Sequence, residues 1–207
     1  MAHNDIDVTA VGGDVEQGPL WVGKTVGAKL PEDFTWDETM QSAYTRLGEG
    51  STDGLDEETE TETTEKKVWG GKSLGITVSS FSDKFTIRFA SAADLDVLRY
   101  LHGDEQVVVN TEKKVAKVIQ MKRTPPALPF IIQSKMDDGR PMWFVIPKAQ
   151  LDPALSVTYS DEDIVVYEAT VQGMAYEGNR TSYRLIGLPD GTVEVAAGSG
   201  STTETGK

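Results

Sequence analysis

Residues 47–71 read LGEGSTDGLDEETETETTEKKVWGG. The stretch opens on Gly, Ser and Asp. It continues as acids and threonines with no basic residue between Arg46 and Lys66, and it closes on Val68-Trp69-Gly70-Gly71. Its acids are Glu49, Asp53, Asp56, Glu57, Glu58, Glu60, Glu62 and Glu65. A monomeric core has no use for such a segment. As an edge strand it repels itself, and as a loop it is unusually long. Two readings stay open. One is a solvated acidic loop, the usual state of like-charge blocks. The other is an arm that waits for a partner. The second makes Leu55, Asp56, Glu57, Glu58, Glu60, Glu62, Glu65 and Trp69 candidate subunit-interface residues.

Downstream of this run the pattern turns to strands. Phe85, Ile87 and Phe89 alternate with Thr86 and Arg88, the period of a half-buried strand. Further strands are expected at Glu105–Asn110, Lys113–Lys122, Phe130–Lys135, Met142–Ile146, Ile164–Met174, Ser182–Ile186 and Thr192–Val195. Asp137-Asp138-Gly139-Arg140 and Pro189-Asp190-Gly191 read as hairpin turns. The strongest helix signal is Ser91–Gly103. Ser91 is its expected N-cap, Leu95, Leu98 and Leu101 its apolar stripe, and Gly103 its left-handed end. A short helix is expected after Thr35, with Glu38 completing a capping box and Trp36, Met40, Ala43, Tyr44 and Leu47 near helical spacing. Trp21–Lys24 opens a first extended segment.

The expected organisation is a polar, Gly-rich arm over residues 1–20, one β domain over 21–197 with the acidic loop at 48–67, and a tail over 198–207. The fold class is mainly β: a β-sandwich or partial barrel with one flanking α-helix and a long acidic loop.

Composition narrows the function. The chain has 207 residues, a net charge of −13 and no cysteine. That charge argues against a surface that grips nucleic-acid phosphates, which needs clustered Lys and Arg. No disulfide or thiolate chemistry is available. No apolar run reaches membrane-spanning length, and the first residues show no basic-then-apolar secretory pattern.

Catalytic signatures are sparse. The histidines are His3 and His102. His102 is expected at a helix end, where an imidazole faces the last carbonyls. No HExxH, calcium-loop, Walker, GxGxxG or nucleophile-elbow pattern occurs. The acid pairs Asp137/Asp138 and Asp161/Glu162/Asp163 fall in expected turns, where Asp bonds its own backbone. No enzyme, metal site or cofactor is expected.

The order of segments resembles the major tail tube proteins of long-tailed bacteriophages, especially those of actinobacterial hosts. The likeness runs over roughly residues 20–195. It lies in Val22-Gly23-Lys24 leading to Ala28-Lys29-Leu30-Pro31, then Asp33-Phe34-Thr35-Trp36-Asp37, then Tyr44 to Gly48. It continues through the acidic Thr/Glu arm to Trp69-Gly70-Gly71, and later through Ser160-Asp161 and Tyr167-Glu168-Ala169-Thr170-Val171. Residues 176–195 depart from it as an extra apparent hairpin. The resemblance implies a β-sandwich protomer that closes into hexameric rings, which stack into a tube in the virion. Tape-measure protein and then DNA would occupy the lumen without tight binding, and tail terminator and tip proteins would cap the ends. It also implies that the long loop before Trp69 reaches the neighbouring ring. The rivals are another β-rich virion part, such as a capsid decoration or tail terminator, and a monomeric carbohydrate-binding β-sandwich. The latter needs an exposed aromatic platform, which Trp21, Trp36, Trp69 and Trp143 can form only by converging on folding.

Overall fold

The computed structural model describes residues 19–69, 72–90, 93–136, 138–159 and 165–189. The expected 198–207 tail, the arm up to residue 18, Ser91, Asp137, the acids 161–163 and Thr192–Val195 lie outside the described residues. Leu20 does not belong to an arm. It is buried and starts the first strand, and the Pro19 carbonyl beside it accepts from the Gln133 N–H at 2.7 Å.

The elements in chain order are β1 (Leu20–Gly23), α1 (Glu38–Ala43), β2 (Tyr44–Arg46), β3 (Gly50–Lys67), β4 (Ser73–Phe89), α2 (Leu95–His102), β5 (Val107–Asn110), β6 (Val115–Val118), β7 (Ala127–Lys135), β8 (Pro141–Thr158), β9 (Val166–Gly173) and β10 (Tyr183–Ile186). One antiparallel sheet runs β2-β1-β7-β8-β9-β4-β3, and β10 pairs with β8 off this path. β5 and β6 form a separate two-stranded ribbon.

The sheet folds over on itself through β8. The first half of β8 pairs with β7 and β10, and Ala149–Thr158 pairs with β9. The β8–β9 register slips between Leu151 and Leu155, around Pro153. Such irregularities bend a strand and let it serve both halves of a sandwich. The halves face each other across one apolar cluster. Leu20, Val22, Phe130 and Ile132 come from one side, and Phe85, Ile87, Phe89, Ala169 and Val171 from the other. Val97 and Leu101 of α2 close its end.

The expected alternation of Phe85, Ile87 and Phe89 is therefore the core face of β4. The chain also turns at 138–140, within the expected hairpin turn. There Met136 N–H donates to the Arg140 carbonyl at 2.8 Å, and Gly139 N–H to the Met136 carbonyl at 2.9 Å.

The sheet is not closed into a barrel. The two ends of its main path, β2 and β3, are nevertheless consecutive in the chain, joined only by Leu47-Gly48-Glu49. Gly48 takes φ +68, a conformation that suits glycine. Leu47 is buried in the core and donates its N–H to the Leu20 carbonyl at 2.8 Å, while the Glu49 carbonyl accepts from Ala90 N–H at 3.0 Å. One short corner thus carries the chain from one edge of the sandwich to the other.

Several expected boundaries shift. α1 is capped by Asp37, whose Oδ1 accepts from Met40 N–H at 2.8 Å, and not by Thr35. Thr35 N–H is already held by Asp33 Oδ1 at 2.8 Å. Tyr44 and Leu47 leave the helical pattern because β1 claims them, Tyr44 by pairing with Gly23 and Leu47 by donating its N–H to the Leu20 carbonyl. α2 begins late, since Asp94 accepts from the N–H groups of Asp96 and Val97 and outcompetes any upstream cap. Its buried residues are Val97, Leu98 and Leu101, while Leu95 is half-buried. Gly103 ends it with φ +102, where a Cβ would collide with Gln106 Oε1. Glu105 sits in a 3₁₀ turn, and the 113–122 strand contracts to β6. Tyr183–Ile186 pairs with Met142–Val145 of β8, so this part of the extra hairpin is built into the sheet.

Candidate assembly surfaces

The acidic segment is a strand, not a loop: residues 50–67 are β3, the edge strand, paired with β4 at Gly50 and again from Leu55 to Lys67. Asp56, Glu58, Glu60 and Glu62 share one face, and self-repulsion fails to prevent the strand because β4 supplies partners. Arg88 Nη2 holds Asp56 at 2.9 Å and its Nε holds Glu168 of β9 at 2.9 Å. Lys84 reaches Glu60 at 3.3 Å, and Ser80 donates to Glu62 at 2.9 Å. Thr86 and Thr170 share a bond of 3.1 Å on the same face. Glu57 pairs with Arg184 of β10 on the opposite face. Lys67 and the Ser73 hydroxyl hold the Glu65 carboxyl below its usual range.

The hairpin overhangs the body. β9 pairs with β4 only from Asp83 to Phe89, so among the described residues Ser73–Ser82 has β3 as its sole sheet neighbour. At strand rise this is an overhang of about 30 Å. Two-stranded ribbons are marginal in water without a further packing partner.

The overhang carries apolar side chains. Ile76, Val78 and Phe81 are 71, 63 and 50 % exposed, and Leu74, Val68 and Trp69 near the tip are exposed too. The register explains how they align. Thr61 pairs with Phe81, Glu62 with Ser80 and Thr63 with Val78, so Ser79 is an extra residue in β4. This bulge shifts the alternation by one. Phe81, Val78 and Ile76 therefore continue the face that carries Phe85, Ile87 and Phe89 into the core. The alternation at Leu74, Ile76 and Val78 is readable in the sequence, but its phase slip at Ser79-Ser80 hides the continuity. Of the expected interface residues, β3 brings together Leu55, Asp56, Glu57, Glu58, Glu60, Glu62 and Glu65, and Trp69 lies at the tip.

Asp83 marks the root of the overhang. It occupies the core-facing phase of β4, between Phe81 and Phe85, and is only 2 % exposed. Its carboxylate accepts from the hydroxyls of Thr59 at 3.3 Å, Thr181 at 3.1 Å and Ser182 at 2.5 Å. The hairpin root is thereby pinned to the segment leading into β10. The polar residue in an apolar alternation is the signal that would have found it.

The tryptophans do converge, but into packing. Trp36 lies 4.9 Å from Trp21, 5.7 Å from Trp143 and 5.5 Å from Tyr44, ring centre to ring centre. Trp21 and Trp143 are 5 and 8 % exposed. This cluster backs the β1–β7–β8 half of the sheet beneath α1. Trp69 stands apart at the hairpin tip, so these four side chains make no exposed platform.

His102 sits in the last turn of α2, edge-on to Tyr167 at 6.4 Å. It lies at the helix end as expected, where Arg123 holds the last carbonyls, with Nη2 donating to those of Tyr100 at 2.7 Å and Leu101 at 2.9 Å. Burial, and then the Arg123 charge, push the His102 pKa below its ordinary value. Among the described residues no group of acids and histidines is arranged to hold a metal ion, and no helix is long and apolar enough to cross a membrane.

No protein-family model and no curated protein matches the sequence. Two solved structures are similar at low identity. One is a chain of the sheath–tube complex, in the extended state, of the extracellular contractile injection system PVC. It is 12 % identical with a TM-score of 0.45, over 83 % of this chain and 90 % of that one. The other is the tube-terminating cap of the anti-feeding prophage, 11 % identical with a TM-score of 0.42, over 90 % and 99 % of the two chains. Both likenesses are distant, and the reading of function rests on the chain's own geometry.

Proposed function

We propose that this chain is the repeating, non-catalytic subunit of a phage-type tail tube, in which hexameric rings stack into a hollow conduit for genome delivery. One observation carries the reading: an overhanging hairpin that extends the core face of β4 into solvent. A monomer gains nothing by exposing that row, while a head-to-tail assembly covers it. Two further features support it. The sheet ends in edges at β2 and β3, which neighbouring copies in a ring would pair. The acidic balance suits a lumen through which DNA passes without adhering. Six-fold order, the tape-measure protein and the terminator and tip partners come from the sequence resemblance described above.

Negative-stain electron microscopy of the purified protein, at high concentration and with preformed tube ends as seeds, tests the reading. Stacked six-fold rings are expected. A protein that stays monomeric under both conditions overturns it.

A further inference from the structure

A second ribbon projects from the protein, and its chemistry is the complement of the first. β5 and β6 pair Val107 with Val118, Val108 with Lys117, Val109 with Ala116 and Asn110 with Val115. Val107 is buried and anchors one face, while on the other face Val108 and Val115 are 51 and 54 % exposed. The ribbon and its flank, residues 107–122, hold Lys113, Lys114, Lys117 and Lys122 against the single acid Glu112. All four lysines are exposed, and none takes part in an ion pair among the described residues. Residues 54–67 hold six acids against Lys66 and Lys67. In a chain of net charge −13, one projecting ribbon is acidic and apolar and the other is basic and apolar.

Their placement is also complementary. β4 runs from the hairpin tip at Ser73 to Phe89, a length of roughly 55 Å at strand rise. Phe89 pairs with Tyr167, and Tyr167 pairs with Val157. His102, which contacts Tyr167, lines a cleft with Gln120, Met121, Leu155 and Val157. The root of the basic ribbon is therefore at the Phe89 end of β4, and the acidic tip is at the other.

We infer that the β5–β6 ribbon is the receptor for the β3–β4 hairpin of the next copy, which makes stacking a head-to-tail contact between an acidic pole and a basic one. The inference rests on the tube reading and names the surface that the hairpin meets. The row Ile76, Val78 and Phe81, with Glu65 on the same face, covers Val108, Val115 and Lys117, while Glu58, Glu60 and Glu62 on the other face meet Lys113 and Lys114 around the free edge of β3. Burial of the row supplies the attraction, and the charges set direction and pairing. Such a contact cannot satisfy itself within one copy, so it propagates.

Charge exchange tests it. One variant carries Lys113→Glu, Lys114→Glu and Lys117→Glu, and a second carries Glu58→Lys, Glu60→Lys and Glu62→Lys. Each alone should reduce the tube fraction in sedimentation by at least about tenfold, since like charges would then face each other. The variant with all six changes should recover tubes. Wild-type melting temperatures would show that the protomers fold. The absence of native cysteine allows a second measurement. Chains carrying Thr63→Cys, which shares the row's face, mixed with chains carrying Lys117→Cys, should form an intermolecular disulfide in tubes. Wild-type tubes together with unimpaired Lys→Glu stacking, or with tubes of the mixed cysteine variants in which positions 63 and 117 of different chains do not become linked, would overturn this contact and leave the tube reading intact. Wild-type protein that forms no tubes with seeds overturns both.

Discussion

Val78 and Phe81 share one face of β4 although three positions separate them, because Ser79 is extruded from the ladder between them. Strand alternation would otherwise put them on opposite faces. The bulge thus keeps a single apolar row running from the sandwich core out along the hairpin.

This relationship predicts an asymmetry between two one-residue deletions. Removing Ser79 should leave the row on its face, with β3 and β4 in regular register, and assembly should persist. Removing Thr77 should turn Ile76 to the opposite face and abolish tubes, because a one-residue slip reverses every side chain beyond it. Both protomers should melt near the wild-type temperature, since the overhang lies outside the core. Sedimentation of the two variants decides the matter, and equal assembly by both would remove the row from the interface.

Asp83→Ala should destabilise the protomer. It removes a buried acceptor from three hydroxyls, of which Thr59 is exposed and Thr181 and Ser182 are half-buried. The loss should therefore fall near the lower end of the range of about 1–3 kcal/mol that an unsatisfied buried group costs. The loss should appear as a lower melting temperature, with faster amide exchange in residues 179–183 and at the hairpin root. Unchanged exchange in that segment would show that Asp83 is not what pins it.

The α2 helix separates core from surface. Leu101→Ala should cost on the order of 2–5 kcal/mol, the range for truncating a buried leucine. Asp96 and Arg99 pair with each other at 3.3 Å on the exposed side, and alanine at either should change stability by no more than about 0.5 kcal/mol. Denaturant melts of the three variants give the comparison directly. A Leu101→Ala protein as stable as wild type would place the helix elsewhere.

His102 predicts a pH dependence. Its folded pKa is lowered from the ordinary value of 6.5, first by burial and then by Arg123. The unfolded chain therefore binds the proton more readily. The corresponding stability is fully present above the unfolded pKa and is lost as pH falls through it towards the folded pKa. Melting temperature should decline between about pH 7.5 and 5.5, and His102→Gln should flatten that part of the curve. An identical slope in the variant would assign the decline to other groups.

What was legible in the sequence was local. Phe85, Ile87 and Phe89 declare a half-buried strand by their own spacing, and Asp138-Gly139 declares a turn. The strand character of the acidic run was not legible, because the groups that make it tolerable are distant. Arg88 is far along the chain and Glu168 farther, and only the sheet brings both to Asp56. The same distance hid the fate of the tryptophans, which share a cluster because β1, β8 and the segment before α1 stack. Asp83 was visible as a polar residue out of phase, yet its three donors come from residues 59, 181 and 182 and appear only on folding.

The corner Leu47-Gly48-Glu49 has a mechanical consequence. A pull on the hairpin along its axis is resisted by the β3–β4 and β4–β9 ladders in shear, with many hydrogen bonds stretched together rather than one after another. Whatever tension remains in β3 passes through three residues into β2 at the opposite edge, and from there into β1. Both edges of the sandwich share the strain, so a filament built of such subunits would transmit axial force through covalent chain as well as through packed surface.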